Sequence, residues 1–336
     1  MARNALAITT TDLDRHPAAR AWESLGGAVP ASVALLREAS RSKPAVHRLT
    51  FSAPGAPAVF AKRFHPAGLD LERRIYETIL PRLPVTVAPY RGACVDDEGS
   101  AWMFLEDVGE ACLSPRDPEH RALAGRWLGL LHRSAEKVVA AEILPDAGPG
   151  RYLAHLRQAR AEIRQHAGNR GLTLEDRGVL NAVLAQGEAL EARWSGIERA
   201  CDGFPVTLVH ADFQPKNVRI RTTETGPLIC PIDWETAGRG VPAADLALAS
   251  SRGLVMQIDP ATYGATVREV WPHLDVASIR RLSILGHVFQ SLAGIQWACA
   301  DLRFETQLCL IRPLSQMRLY VAQIRAALEA GEEWLG

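Results

Sequence analysis

Residues 208–220, LVHADFQPKNVRI, crowd His210, Asp212, Lys216 and Asn217 into one turn between two apolar runs. A connecting turn asks for Gly, Pro or Asn to suit its backbone, and this density of ionisable groups goes beyond that need. An Asp and an Asn five positions apart suit phosphoryl transfer from a nucleotide. That chemistry needs a carboxylate to orient the attacking hydroxyl, hard oxygen ligands for Mg²⁺, and cations on the phosphates. Asp212 meets the first need. Asn217 meets part of the second, because Mg²⁺ takes few protein ligands and favours carboxylate and amide oxygens. The other ligand should be a carboxylate at a nearby strand end, and Asp233 in PLICPIDWE qualifies. NVRIRTTETGPLICPID reads as a hairpin, which returns Asp233 to the end of the strand pair where Asn217 stands.

The elements that must hold these residues fall into two groups. Residues 11–25 read as a short amphipathic helix. ASVALLREA (31–39), AVHRLTF (45–51) and AVFAKRF (58–64), separated by the turns SRSKP and SAPGAP, read as a three-stranded antiparallel meander. LDLERRIYETILPRL (69–83) carries Leu69, Ile75, Ile79 and Leu80 on one helical face. VTVAPYRGAC and SAWMFLEDVG add two strands around DDEG. From about residue 109 the pattern turns helical: 117–139 with an acidic first turn, then 150–166, 173–199 and most of 261–334. The expected architecture is therefore α+β. A small five-stranded antiparallel lobe (1–108) comes first, a connecting segment near 105–110 follows, and a larger, mainly helical lobe (109–336) carries the loop, with a ligand cleft expected at the boundary.

Composition removes several other classes. At 336 residues the chain exceeds one ordinary core. Lys plus Arg equals Asp plus Glu at 38 each, so no net field favours nucleic acid or anionic lipid. The six cysteines are scattered without a CxxC or Cys/His pair, which argues against a disulfide framework or a structural zinc site and for reduced cysteines filling apolar space. The first residues lack the apolar run of a signal peptide, and no stretch is long enough to span a bilayer, so a cytoplasmic protein is expected. Only four of the 38 basic residues are lysines: Lys43, Lys62, Lys137 and Lys216. In an Arg-biased chain, a retained lysine marks a place where a compact point charge is wanted.

The motifs also resemble a known family. HADFQPKN matches the HxDxxxxN loop of the protein-kinase-like superfamily. Followed by IDWETAGRGVPAADLA, it is most similar to the aminoglycoside phosphotransferase and choline kinase family. The resemblance implies a protein-kinase-like two-lobed fold with Asp212 as catalytic base, Asn217 and Asp233 as Mg²⁺ ligands, and Asp245 as a buried anchor of the loop. AVFAKRF resembles the VAIK strand, which implies Lys62 on the α- and β-phosphates, with Glu72 in LERRIYETIL as its partner. FLEDVG resembles the hinge, where the Glu106 carbonyl and Val108 amide would meet the adenine edge. Lys216 is a candidate for the γ-phosphate, and surface exposure is an equal reading of it. The match spans nearly the whole chain in the right order. It departs at ASRSKP, which lacks the family's glycines; there the backbone amides of Ser40 to Ser42, with Lys43, would have to cap the phosphates. The implied cofactors are ATP, with GTP open, and Mg²⁺. The implied substrate is a small hydroxyl compound: an aminoglycoside-like antibiotic, a choline-like alcohol, a sugar or an amino alcohol. No nucleic acid, membrane or obligate protein partner is expected.

Blander readings stand beside these. His210 is expected to brace the loop rather than act as a base. His132 and Trp127, Trp194, Trp271 and Trp297 read as core or lobe packing. Trp297, with Asp301 and Glu305, lies in the late helices, where the resemblance implies the acceptor pocket. GRGVPA (238–243) formally matches a dinucleotide-binding GxGxxA, but it contains a Pro and no second strand follows; its glycines are expected to permit a tight turn. H210-x-D212 with Asp233 as a hydrolase metal site lacks a further His at suitable spacing. A non-catalytic nucleotide-binding module and a protein kinase are the competing functions.

Overall fold

The computed structural model describes residues 5–39, 44–64, 69–248 and 256–331. Ser40, Ser42 and Lys43, the expected phosphate-capping turn, lie outside the described residues. The chain divides into two compact units. One comprises Met1–Leu113 with Lys216–Glu235, and the other Ser114–Pro215 with Thr236–Gly336.

The first unit is built on a six-stranded antiparallel sheet: β1 (Ala7–Thr9), β2 (Ser32–Arg37), β3 (Ala45–Thr50), β4 (Val59–Phe64), β5 (Tyr90–Val95) and β6 (Ala101–Glu106). Its spatial order is β1-β2-β3-β4-β6-β5. Five of these strands are the expected ones. β1 is an addition, a three-residue edge strand too short to carry an alternating pattern. The helix α1 (Pro17–Ser24) lies on one face. Its Ala18, Ala19 and Ala21 are small enough to let it approach Val33, Leu49, Val59, Ala61, Trp102 and Phe104, and together they form a dry core. Because strand residues alternate faces, Ala61 in that core turns Lys62 to the opposite face. The segment after β4 winds as α2 (Asp70–Arg74), a π turn (Ile75–Ile79) and a 3₁₀ turn (Leu80–Arg82). Glu72, Ile75, Tyr76 and Ile79 are buried.

The hairpin β8 (Val218–Thr223) and β9 (Gly226–Pro231) belongs to this unit. Leu113 N–H donates to the Val218 carbonyl (3.0 Å) and Ile220 N–H to that of Ala111 (2.8 Å). The Thr86 hydroxyl donates to the Ile229 carbonyl at 2.6 Å.

The second unit contains α3 (Pro118–Val139), α4 (Pro149–Gln165), α5 (Leu174–Ala192), α6 (Trp194–Cys201), α7 (Ala243–Leu246), α8 (Pro260–Val267), α9 (Val276–Cys299) and α10 (Gln307–Ala330). The expected helix 173–199 is thus two, interrupted at Arg193. Between the helices run β7 (Thr207–Val209) with β10 (Gly238–Gly240), and β11 (Ala247–Leu248) with β12 (Met256–Gln257). The glycines of GRGVPA therefore stand in a strand rather than a turn. A Cβ on Gly238 would lie 2.5 Å from the Pro145 carbonyl oxygen, and one on Gly240 would lie 2.3 Å from that of Ala147. Close approach of segment 145–148 is what excludes a side chain there.

The same device sets α7 against α9. A Cβ on Gly286 would come within 1.9 Å of the Ala243 carbonyl oxygen. Overfilling a packed interior costs about 1–3 kcal/mol. Gly286→Ala is therefore expected to lower the unfolding free energy, measured by urea titration, by that order and to disturb α7, which carries Asp245. Gly178, in α5 with nothing within 4 Å of its added Cβ, should show the opposite sign: Gly178→Ala should stabilise by up to about 1 kcal/mol through helix propensity. Equal effects at the two sites would refute the packing explanation.

Candidate active site

In the first unit, Lys62 is the centre of an ionic cluster. Its Nζ donates to Glu72 Oε2 at 2.8 Å and Oε1 at 3.1 Å, and to Asp233 Oδ1 at 2.7 Å. Glu72 is fully buried and Lys62 nearly so, while Asp233 is half-buried. Burial opposes the charge on Lys62, but the two carboxylates outweigh it and hold the ammonium well above its ordinary pKa. Burial pushes the Glu72 carboxyl up, against the pull of Lys62 and of the Trp234 N–H. That N–H donates to Glu72 Oε1 at 3.2 Å, so one carboxylate ties together the strand lysine and the peptide just after Asp233. Tyr76, buried one helical turn from Glu72, has its phenol pushed far up by burial and by the charges of Glu72 and Asp233.

Asp233 reaches this position through the hairpin register. Val218 pairs with Pro231, and one step further out the Ile232 N–H donates to the Asn217 carbonyl at 2.9 Å. Asn217 and Asp233 thus leave the same end of the hairpin, as the sequence reading expected. Asp233 adopts φ +73°, a left-handed conformation uncommon for a non-glycine residue and enriched where side chains must be aimed. An amide and a carboxylate at one strand end form an oxygen-only donor set, which fits Mg²⁺. Lys216 is exposed at the start of the same segment.

The segment after β6 is fixed by hydrogen bonds on both sides of Val108. Glu106 N–H donates to the Pro89 carbonyl at 2.9 Å and Asp107 N–H to that of Ala58 at 2.8 Å. Gly109, at φ +94°, donates to Asp107 Oδ1 at 2.8 Å. The Val108 N–H between them pairs with no group among the described residues, although Val108 is buried. The Glu106 side chain is gripped by Arg91 and by Arg221, the latter at 3.3 Å. Sequence reading missed both arginines, because they come from β5 and β8, remote in the chain.

In the second unit the loop after β7 turns His210 and Phe213 inward and leaves Asp212 half-buried. Phe213 stacks on Trp127 with ring centroids 5.7 Å apart. His210 accepts from Asp212 N–H through Nδ1 at 3.3 Å, and its carbonyl accepts from the Thr236 hydroxyl at 2.9 Å. Its Nδ1 and carbonyl thus brace the loop. Asp245, fully buried in α7, accepts from His210 N–H at 2.7 Å and from Ala211 N–H at 2.8 Å. These bonds hold Ala211 at φ +63° and thereby aim the following Asp212. His132, read from sequence as packing, is buried as expected and also brings Nε2 to 3.3 Å from Asp245 Oδ2. Trp127, Trp194 and Trp271 are buried, whereas Trp297 is exposed, which corrects its reading as packing. No helix among the described residues is long and apolar enough to cross a membrane.

A six-stranded antiparallel unit bearing a Lys–Glu–Asp cluster, with a helical unit bearing an anchored His-x-Asp loop, defines a protein-kinase-like fold. Solved structures with this fold include choline kinase from Cryptosporidium parvum Iowa II, at 13% identity and a TM-score of 0.58, covering 90% of this chain and 93% of that one. A spectinomycin phosphotransferase in complex with ADP and spectinomycin matches at 11% identity and a TM-score of 0.54, over 89% and 94% of the two chains. The GDP complex of wild-type aminoglycoside 2'-phosphotransferase-IIIa matches at 12% and 0.56, over 90% and 96%. The chain belongs to the phosphotransferase enzyme family, whose sequence model matches residues 14–275. Comparison with curated protein sequences gives no match.

Proposed function

We propose that the protein transfers the γ-phosphate of Mg²⁺·ATP to a hydroxyl group of a small molecule. The observation that carries this reading is the Lys62 cluster: a buried lysine 2.8 Å from Glu72 and 2.7 Å from Asp233, a pairing that presents one fixed cation beside one carboxylate able to take a metal. Asp212 orients the acceptor hydroxyl and accepts its proton. Asn217 and Asp233 would hold Mg²⁺, which when bound would offset the charge of the phosphates. Lys62, steadied by Glu72, neutralises the α- and β-phosphates. The Glu106 carbonyl and the Val108 N–H offer an acceptor and a donor in the order that an adenine edge requires. Catalysis of this kind is positioning and charge stabilisation, with little covalent work for the protein.

ADP and GDP are both bound by proteins similar in fold, so either nucleotide is compatible with the fold, and the hinge pattern favours ATP. Choline and spectinomycin name the range of acceptors among those proteins, and an amino alcohol or aminocyclitol hydroxyl is the first class to try. The test is nucleoside diphosphate release from Mg²⁺·ATP and Mg²⁺·GTP against aminoglycosides, amino alcohols and sugars, with ³¹P NMR of the product. A new phosphoester signal with at least one acceptor is expected, together with slow Mg²⁺-dependent hydrolysis in its absence. Nucleotide binding with neither reaction would replace this reading with a non-catalytic nucleotide-binding module.

A further inference from the structure

The chain of buried polar groups behind the Asp212 loop does not end at Asp245. His132 Nε2 faces Asp245 Oδ2 at 3.3 Å, and its other nitrogen, Nδ1, lies 3.0 Å from the Tyr263 hydroxyl. His132 and Asp245 are fully buried and Tyr263 is 1% exposed, so water does not compete for these groups.

The proton inventory gives the chain a direction. An ionised Asp245 only accepts, and Oδ2 already takes the His210 N–H, so His132 must present Nε2–H to it. A neutral ring then carries its lone pair on Nδ1 and needs a donor there. The Tyr263 hydroxyl is that donor. Burial and the Asp245 charge push its phenol well above the ordinary value, so it keeps its proton. The opposite direction would need a doubly protonated imidazole in a dry interior.

Packing explains how Tyr263 arrives but not why it carries a hydroxyl. Helix α3 has glycines where it meets α8: a Cβ on Gly125 would lie 2.7 Å from the Asp259 carbonyl oxygen, and one on Gly129 would lie 2.7 Å from Thr266 Cβ. Arg133 Nη1 donates to the Thr266 carbonyl at 2.9 Å, fixing the far end of α8. A phenylalanine at 263 would fill the same space.

We propose that Tyr263 is a positioning residue for Asp212: its hydroxyl donates to His132 Nδ1, holding the ring in the Nε2–H tautomer that supports Asp245 in its grip on the His210 and Ala211 peptide N–H groups. The functional sense of this chain rests on the reading of Asp212 as the base, and its geometry does not.

Two measurements on the full-length protein test it. In ¹⁵N-histidine-labelled wild type, two-bond ¹H–¹⁵N correlations should show His132 neutral and protonated on Nε2; an Nδ1–H tautomer or an imidazolium would overturn the assignment, even if no variant folded. In Tyr263→Phe, hydrogen exchange at the His210 and Ala211 amides should accelerate at least about ten-fold, with the Leu208 and Val209 amides of β7 within about two-fold of wild type. Unchanged exchange at His210 and Ala211 would overturn it as well. Phosphoryl transfer by Tyr263→Phe should fall about three- to thirty-fold with nucleotide KM unchanged. Should Asp212→Asn retain full transfer, the reading of the base fails while the exchange result still decides the role of Tyr263.

Discussion

Asp212→Asn is expected to reduce phosphoryl transfer by about 10²–10⁴-fold, the usual worth of a positioned general base, while nucleotide affinity changes less than about three-fold. Asparagine keeps the shape of the side chain and cannot accept the proton. The loop itself should survive the change. Its fixings are backbone groups: Asp212 N–H on His210 Nδ1, the Asp212 carbonyl accepting from Gln214 N–H at 2.8 Å, and the two peptides held by Asp245. The residues proposed to hold nucleotide and metal, Lys62, Glu72, Asn217 and Asp233, belong to the other compact unit. A rate loss with intact binding, measured by single-turnover transfer beside calorimetric nucleotide titration, is the result expected. Near-parental transfer would remove Asp212 from the mechanism.

The largest effect on stability is expected from Lys62→Met. Methionine replaces the stem of the side chain and removes the cation bonded to both Glu72 and Asp233. Breaking a buried ion pair by deleting one partner typically costs about 3–5 kcal/mol, because the remaining charge is stranded. Part of this can be relieved by protonation, and the sign of the pH dependence follows. Burial already holds the Glu72 carboxyl above the ordinary carboxylate value, and loss of Lys62 removes the strongest opposing influence. Between the unfolded and the raised folded pKa, the folded variant binds more protons than the unfolded chain, so stability must fall as pH rises. Urea midpoints of Lys62→Met should therefore be higher at pH 5 than at pH 8. The deficit relative to the parent protein should narrow toward acid. A deficit that does not vary over that range would mean that Glu72 does not titrate in the variant. The same substitution should weaken nucleotide binding, since the point charge proposed for the phosphates is gone.

Much of the site was legible because its parts are local. Lys62 stands in a strand with turn residues on both sides, and Glu72 follows in the next helix, ten positions away. Asn217 and Asp233 are joined by a hairpin whose register is set by its own turn at Thr223–Gly226. Where the reading failed, the cause was contact between distant segments. Gly238 and Gly240 looked like turn residues because nothing nearby in sequence shows that segment 145–148 presses against them. His132 looked like a core residue, since an imidazole on an apolar helical face gives no sign of a carboxylate 113 positions further along.

By itself the sequence determined the composition of the site and the order of the elements that carry it: an Asp and an Asn on one loop, a carboxylate at the return of a hairpin, and a lysine retained in an arginine-rich chain. Hydrophobic periodicity and turn chemistry act over a few residues, and these features lie within that range. Tertiary structure decided which charges neutralise one another and which peptide groups are held. Lys62 meets Asp233 across 171 positions, and the Asp212 loop is secured by Asp245, His132 and Tyr263. Such pairings depend on how closely helices and strands can approach, which glycines such as Gly125, Gly129 and Gly286 set through the absence of a side chain. Their effect exists only once the chain has folded around them.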